Sequence, residues 1–358
     1  MPDTDAIRAY NKEEFSSKLS DLLNDKDFAQ AIDSAIGWLR RKHIFRTAKK
    51  CSNVEELQER IVAPAIDKML RKQDCALTSD FSSITSINGQ CVFISNHRDI
   101  VLDPTLLAYL LVKGGGKGMG IAIGDNLLIH PWIENLVRLN RSFIVKRSIS
   151  SQTEFLEFSR LLSAHIHEII SSGAHQVWIA QREGRAKDSN DRTQVSVLKM
   201  LAMGGDGSPV ERLKDLHIVP LSISYEYDPC DYLKAQEFQQ KRDDPDFKKS
   251  QQDDLNSMKT GIFGCHGHIH YEAAPCIDSW LDELTEVPRV DFYPEVARRM
   301  NLEIYKRYRL YPGNYVAFDE LKKTRIYADS YSRSDKKCFD AYIDGQLKKI
   351  QLENVFLQ

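Results

Sequence analysis

From about residue 88 to residue 227, short apolar runs alternate with longer segments of helical periodicity. Five of the runs predict buried strands: CVFIS (91–95), MGIAIG (119–124), SFIVKR (142–147), HQVWIAQ (175–181) and HIVPLSISYEY (217–227). The segments between them, such as EFLEFSRLLSAHIHEIISSG, predict helices. Strands that alternate with helices typically form a parallel sheet covered by helices. The pattern therefore predicts an α/β fold with a mainly parallel central sheet flanked by helices.

The segments on either side of this core are predicted to be helical. LQERIVAPAIDKMLRK has helical apolar spacing, and the chain after residue 276 is predicted to be helical apart from a loop at 311–314. Near the end of the core, GHIHYEAAPCI predicts one more strand. We expect a helical N-terminal region at 1–85, an α/β core at 86–275, and a helical C-terminal extension at 276–358 that packs on the core.

Composition and charge exclude several classes of protein. Hydrophobic residues make up 42% of the 358 residues and charged residues 28%, which excludes disorder as the main state. The net charge of −2 gives no global reason to expect a nucleic-acid partner. The seven cysteines form no CxxC pair and the N-terminus lacks a signal pattern, so we expect a reduced, cytoplasmic protein. The longest apolar stretch, LDPTLLAYLLV, is too short to span a bilayer.

A histidine followed by carboxylates stands at the end of the first core strand, in Ser95-Asn96-His97-Arg98-Asp99-Ile100-Val101-Leu102-Asp103. A carboxylate that binds one imidazole nitrogen fixes the tautomer, so the other nitrogen can remove a proton from a hydroxyl. Taken alone, the same residues fit a surface histidine at a helix start, with Asp103 as the N-cap before Pro104.

Two further strand ends carry cations. Lys146 and Arg147 end SFIVKR, where two adjacent cations suit a phosphate. Taken alone, however, a Lys-Arg dipeptide at a strand end is more commonly a pair of solvated charges. In QREGRAK, Gly184 allows a sharp bend, and the surrounding charged residues offer anion contacts. A fourth segment, IVPLSISY, places a proline within a strand pattern, which suggests a bulge or an edge.

Together and in this order, the four segments resemble the glycerol-3-phosphate and lysophosphatidate acyltransferase family. Its Asn/Ser-His pair with a downstream Asp is matched by NHRDIVLD, and its Gly/Ser-Phe-Phe/Ile-x-x-Arg strand by SFIVKR. Its Phe-Pro-Glu-Gly block is matched by QREGRAK, and its Val-Pro strand by IVPLSISY. The resemblance covers roughly residues 90–275, and the ordered set is far more specific than any one segment.

The resemblance implies an enzyme of phospholipid biosynthesis, in which His97 is the general base and Asp103 orients it. It implies acyl-CoA or acyl-carrier protein as the donor, a glycerol-phosphate or lysophospholipid hydroxyl as the acceptor, and neither a metal nor another cofactor. Five residues separate His97 from Asp103, one more than in the usual family motif, so Asp99 is an alternative orienting carboxylate.

The resemblance also assigns the binding residues. Pro220 would support the acyl-donor pocket. The acceptor phosphate would be bound by Lys146, Arg147, Glu183, Gly184 and Arg185. The family's Phe-Pro is Gln181-Arg182 here, which adds a cation. Family members commonly carry membrane-inserting segments. This chain has no clear one, so basic N-terminal helices would place it peripherally on the cytoplasmic membrane face.

Two alternatives compete with this interpretation. His266, His268 and His270 would share one face of a strand, as in the metal site of a metallohydrolase. The chain could instead be a non-catalytic protein of the same fold that binds acyl thioesters. A cysteine nucleophile is not supported, because Cys91 lies within an apolar strand run.

Overall fold

The computed structural model describes residues 4–84, 89–147, 149 and 151–350. The strands are β1 (Ala76–Asp80), β2 (Val92–Ser95), β3 (Met119–Gly124), β4 (Ser142–Val145), β5 (Gln176–Ala180), β6 (Val219–Tyr225) and β7 (His268–Ala273). The helices are α1 (Lys12–Asn24), α2 (Lys26–Ile36), α3 (Trp38–Ala48), α4 (Val54–Leu57), α5 (Ala63–Lys72), α6 (Leu102–Lys113), α7 (Pro131–Leu139), α8 (Gln152–Ser171), α9 (Val195–Leu201), α10 (Pro209–Lys214), α11 (Asp231–Asp243), α12 (Gln251–Phe263), α13 (Asp278–Leu281), α14 (Arg289–Lys306), α15 (Pro312–Lys322) and α16 (Arg333–Leu347).

The strands form one sheet in the order β1-β7-β6-β2-β5-β3-β4. Neighbouring strands are parallel except for β6 and β7, which are antiparallel. The prediction of a mainly parallel sheet flanked by helices is therefore confirmed. Because β2 to β5 are parallel, their carboxyl ends lie along one edge of the sheet, where α/β proteins place their sites.

Helices cover both faces of the sheet, and the strand side chains alternate between them. On β2, Phe93 belongs to the apolar cluster that contains Leu106 of α6, whereas the neighbouring Ile94 belongs to the cluster that contains Ile166 of α8. All four of these side chains are fully buried. The central strands are thus apolar on both faces, which explains their continuous hydrophobic runs.

The N-terminal helices form a third apolar cluster with α7. It includes Phe15, Phe28, Phe45 and Leu139. The predicted regions 1–85, 86–275 and 276–358 stay predictions, and the first boundary lies outside the described residues. No helix of the described ranges is both long enough and apolar enough to cross a bilayer.

Strand β1 is the main difference from the sequence prediction, which placed only helices in this region. It pairs with β7 at the edge of the sheet, and four of its five residues are exposed. A short edge strand with little burial carries no apolar run, so periodicity did not predict it.

Two helix starts also differ from the prediction. The helix predicted over 126–139 begins only at Pro131, after a 3₁₀ turn at Asp125–Leu127. Helix α15 begins at Pro312, within the segment that was predicted to be a loop. In both cases a proline stands at the first helical position, where its missing N–H leaves no intrahelical hydrogen bond unmade.

Candidate active site

His97 lies two residues after the end of β2, at the carboxyl edge of the sheet, and its side chain lines a large cavity. Its Nδ1 lies 2.8 Å from Oδ2 of Asp103, in the first turn of α6. That oxygen also accepts hydrogen bonds from the backbone N–H groups of Arg98 (2.6 Å) and Asp99 (3.0 Å). Asp103 is fully buried. An Nδ1–H that donates to this carboxylate leaves Nε2 as the nitrogen that can accept a proton.

Asp99 makes a different set of contacts. Its Oδ1 accepts hydrogen bonds from the backbone N–H groups of Val101 and Leu102, both at 2.8 Å, and so caps the start of α6. Burial, and secondarily the charge of Asp103, raises the pKa of Asp99 to about 6. The structure therefore brings Asp103, and not Asp99, into contact with the imidazole of His97.

Packing and hydrogen bonds hold the His97 segment against the sheet. The imidazole contacts the ring of Trp178 edge-on, with centroids 5.5 Å apart. The indole N–H of Trp178 donates to Oγ of Ser95 at 2.9 Å. The side-chain amide of Asn96 exchanges two hydrogen bonds of 2.8 Å with the backbone of Ile223 in β6. The Asn of the Asn-His pair thus ties the end of β2 to the adjacent strand.

The cavity in front of His97 has a volume of about 1460 Å³ and two kinds of lining. Apolar side chains come from α5, α6, β3 and α7: Ile66, Ala108, Val112, Ile121 and Leu136. Charged side chains come from strand ends and from α11: Arg147, Arg182, Arg185, Lys187 and Glu237. A long apolar chain and an anionic group can therefore occupy the cavity together.

Arg147 lines the cavity at the end of β4. Its guanidinium packs on Gly124, where an added Cβ would lie 2.5 Å from Nε. One terminal nitrogen of Arg147 is 4.0 Å from the carboxylate of Glu183, which is itself largely exposed. Gly184 has a φ of +67°, so the turn after β5 uses the left-handed conformation that glycine readily adopts. The predicted residues Arg147, Glu183 and Gly184 thus share one wall.

Arg185, which is buried, and Lys187, which is partly buried, add cations to this wall. Arg185 is 7% exposed, and its Nη1 is buried without a hydrogen-bond partner among the described residues. An anionic oxygen of a ligand would satisfy that nitrogen. Nζ of Lys187 lies 3.0 Å from a carboxylate oxygen of Glu237, and burial lowers the pKa of Lys187 to about 8. The sequence predicted an anion contact from Lys187 of QREGRAK, although the family resemblance did not assign this residue to the acceptor phosphate.

Two predicted binding residues do not reach the cavity. Nζ of Lys146 lies 5.9 Å from the ring centroid of Phe158 in α8, on the opposite face of the sheet from α6. Adjacent residues at a strand end point to opposite faces, so Lys146 and Arg147 diverge. Pro220 is buried at the second position of β6, beside Ile94 of β2, and does not line the cavity. β6 is an inner strand, and its pairing with β7 begins only after Pro220.

The three histidines of the alternative metal site have separate partners. Their ring nitrogens contact Gln73 (from His266, 3.0 Å), Glu226 (from His268, 2.5 Å) and Thr78 (from His270, 2.8 Å). In the described part of the chain, a different set of residues, His217, Cys276 and Asp278, brings three potential ligand atoms within 4.8 Å of one another. The alternation along β7 therefore does not gather these imidazoles around one point.

Fold and site together define an α/β protein with a candidate general-base site beside a partly apolar, partly cationic cavity. A family model described as Acyltransferase matches residues 53–224 of the chain. The matched range contains His97, Arg147, Gly184 and Pro220, so the resemblance to acyltransferases that the ordered segments carry is confirmed.

Among solved structures, the chain is similar to the 1-acyl-sn-glycerophosphate (LPA) acyltransferase PlsC from Thermotoga maritima. The two sequences are 12% identical, the match covers 84% of this chain and 100% of that chain, and the TM-score is 0.40. No curated protein matches the chain at a significant level.

Proposed function

We propose that this protein transfers a fatty acyl group from acyl-CoA or acyl-carrier protein to a hydroxyl of a glycerol-phosphate or lysophospholipid acceptor. The observation that carries the proposal is the 2.8 Å contact between His97 and buried Asp103 at the cavity, within the range that the acyltransferase family model matches. The donor is a co-substrate, and the proposed reaction uses no metal and no further cofactor.

In the proposed reaction, Nε2 of His97 removes the proton from the acceptor hydroxyl as its oxygen attacks the thioester carbonyl. Asp103 stabilises the imidazolium that forms. The tetrahedral intermediate collapses with cleavage of the C–S bond, and the imidazolium returns its proton to the leaving thiolate. In this proposal the acyl group passes directly from the thioester to the acceptor hydroxyl, and no acyl-enzyme intermediate forms.

The cavity lining supports the two substrate classes. In the proposal, the acceptor phosphate binds to Arg147 and to the unpartnered Nη1 of Arg185, with Lys187 nearby. The acyl chain occupies the apolar part of the cavity lined by α5, α6 and α7. Burial of an acyl chain is favourable by about 0.8 kcal/mol per CH₂ group, so this part of the cavity contributes donor affinity.

Radiolabelled acyl transfer to a panel of acceptors tests the proposal. With the best acceptor we expect His97→Ala to lower the rate by roughly 10²–10⁴-fold, which is the usual contribution of a positioned base. His43→Ala, at an exposed position of α3, is the matched control and retains the wild-type rate. A His97→Ala protein that transfers acyl groups as fast as wild type, or a wild type that only binds the donor, contradicts the proposal.

We also propose that the protein works at the cytoplasmic membrane face. Support comes from α3, which contains no acidic residue and exposes Trp38 (53%) and Leu39 (67%) beside the cations Arg40 and Lys42. Aromatic and cationic side chains on one helix favour an anionic bilayer surface.

Sedimentation with vesicles tests the membrane proposal. We expect binding to phosphatidylcholine vesicles that contain phosphatidylglycerol, weaker binding to phosphatidylcholine alone, and loss of binding in Trp38→Ala and Lys42→Ala. Ile326→Ala, which changes a side chain that is 71% exposed elsewhere, is the control. Unchanged binding of the α3 variants would argue against this surface.

A further inference from the structure

The backbone on either side of the His97 side chain is held by two residues that lie far away in the chain. The N–H of His97 donates to Oδ2 of Asp191 at 3.0 Å. The carbonyl of the next residue, Arg98, accepts a hydrogen bond from Nζ of Lys234 at 3.0 Å. The N–H groups of Arg98 and Asp99 already bind Asp103. The two distant residues thus satisfy backbone groups of this turn that Asp103 does not bind.

Asp191 lies in the segment between β5 and α9 and is 2% exposed. Burial raises its pKa, although the bond from His97 N–H and nearby cations oppose the shift. Its backbone carbonyl accepts a hydrogen bond of 2.6 Å from the hydroxyl of Tyr305 in α14. A carboxylate buried in this way needs strong hydrogen-bond donors. One of the donors that it binds is the backbone N–H of His97, just after β2.

Lys234 lies in α11, in the connection between β6 and β7, and is 4% exposed. Its ammonium contacts the carboxylate of Asp228 as well as the carbonyl of Arg98. A buried ammonium is expensive to desolvate, and an ion pair with Asp228 alone would not require it to reach the His97 segment. Its second hydrogen bond therefore connects the Arg98 carbonyl, just after β2, to α11.

We propose that Asp191 and Lys234 are positioning residues for the general base, an inference that rests on the proposed function. They connect the turn after β2 to the segment after β5 and to α11, so that the imidazole is presented to the cavity in one orientation. Displacement of a reacting group by about 1 Å can lower a rate by about 10²-fold. Neither residue touches the substrate in this role; both act through the backbone of residues 97 and 98.

Steady-state kinetics of four variants test the proposal. We expect Asp191→Ala and Lys234→Met to lower kcat by roughly 10–10²-fold with both KM values within about twofold of wild type, as for a misplaced base. Asp191→Asn keeps an oxygen that accepts the His97 N–H, and Lys234→Arg keeps a cationic donor, so both restore most of kcat. Lys259→Met, at an exposed position of α12, is the control.

Amide hydrogen exchange separates this inference from the proposed activity. In Lys234→Met and Asp191→Ala, we expect faster exchange at His97, Arg98 and Asp99 while the amides of β5 keep wild-type protection. Unchanged exchange at these three residues overturns the positioning role, whether or not acyl transfer is detected. If exchange accelerates but wild type transfers no acyl group, the proposed function fails and the structural part of the inference stands. A wild-type kcat in folded Lys234→Met, or equal defects in Asp191→Asn and Asp191→Ala, also overturns the role.

Discussion

Replacement of Asp99 by Asn should stabilise the protein at pH 8 more than at pH 5. The pKa of this carboxyl is about 6 in the folded protein, compared with 3.8 as the ordinary value, mainly because the group is buried. The folded state therefore binds the proton more tightly than the unfolded state. The contribution of the protonated carboxyl to the free energy of unfolding is fully present below about pH 4, and it is lost as the pH rises through 6.

The size of the effect follows from the shift. A displacement of about two pKa units corresponds to about 3 kcal/mol at pH 8. About half of this destabilisation by the carboxyl is already present at pH 5, because the unfolded carboxyl is then ionised whereas the folded one is still mostly protonated. Asn at this position is always neutral, and its oxygen can still accept the N–H groups of Val101 and Leu102. Any constant difference from packing the amide cancels when the two pH values are compared.

Urea unfolding of wild type and Asp99→Asn at pH 5 and pH 8 measures the effect. We expect the stability of the variant relative to wild type to increase by roughly 1–1.5 kcal/mol between the two pH values, with equal m-values. Asp206→Asn, at an exposed site, is the control and should show no such increase. A pH-independent difference refutes the reasoning from burial. A loss of acyl transfer comparable with that of Asp103→Asn would mean that Asp99, and not Asp103, orients the base.

Three further predictions concern the cavity. Asp103→Asn should lower kcat by roughly 10³–10⁴-fold, because an amide does not hold the required tautomer of His97, and single-turnover rates measure this. Gly124→Ala places a Cβ 2.5 Å from Nε of Arg147 and should raise the acceptor KM about tenfold with little change in kcat; an unchanged KM would exclude Arg147 from acceptor binding. The pKa of Lys187 is about 8, so the acceptor KM should rise as the pH passes 8 and this ammonium loses its proton. Lys187→Arg should abolish that inflection, and a persistent inflection would assign it to another group.

Local pattern was sufficient for much of the fold. The buried runs at 91–95 and 119–124 became β2 and β3 almost residue for residue, because an inner parallel strand must be apolar on both faces. The same rule failed for β1, which lies at an edge and is mostly exposed. Periodicity also could not place the start of α7, since the proline at position 131 and the turn before it have no apolar signature.

The candidate site was predicted in its parts but not in its geometry. The sequence placed His97, Arg147 and Gly184 after successive strands, and parallel pairing brings such ends to one edge. It left the choice between Asp99 and Asp103 open, because both carboxylates lie within one or two turns of the histidine. The folded start of α6 directs Asp103 to the imidazole and uses Asp99 as a cap.

The sequence by itself determined the alternation of strands and helices, the order of the polar segments and the resemblance to acyltransferases. Tertiary structure alone decided which cation of the Lys146–Arg147 pair lines the cavity, and it joined Asp191 and Lys234 to the His97 turn across 94 and 136 positions. The physical reason is the distance along the chain over which each kind of interaction acts. Periodicity and turn chemistry depend on a few adjacent residues, whereas a buried hydrogen bond between distant segments exists only after the sheet and its covering helices have packed.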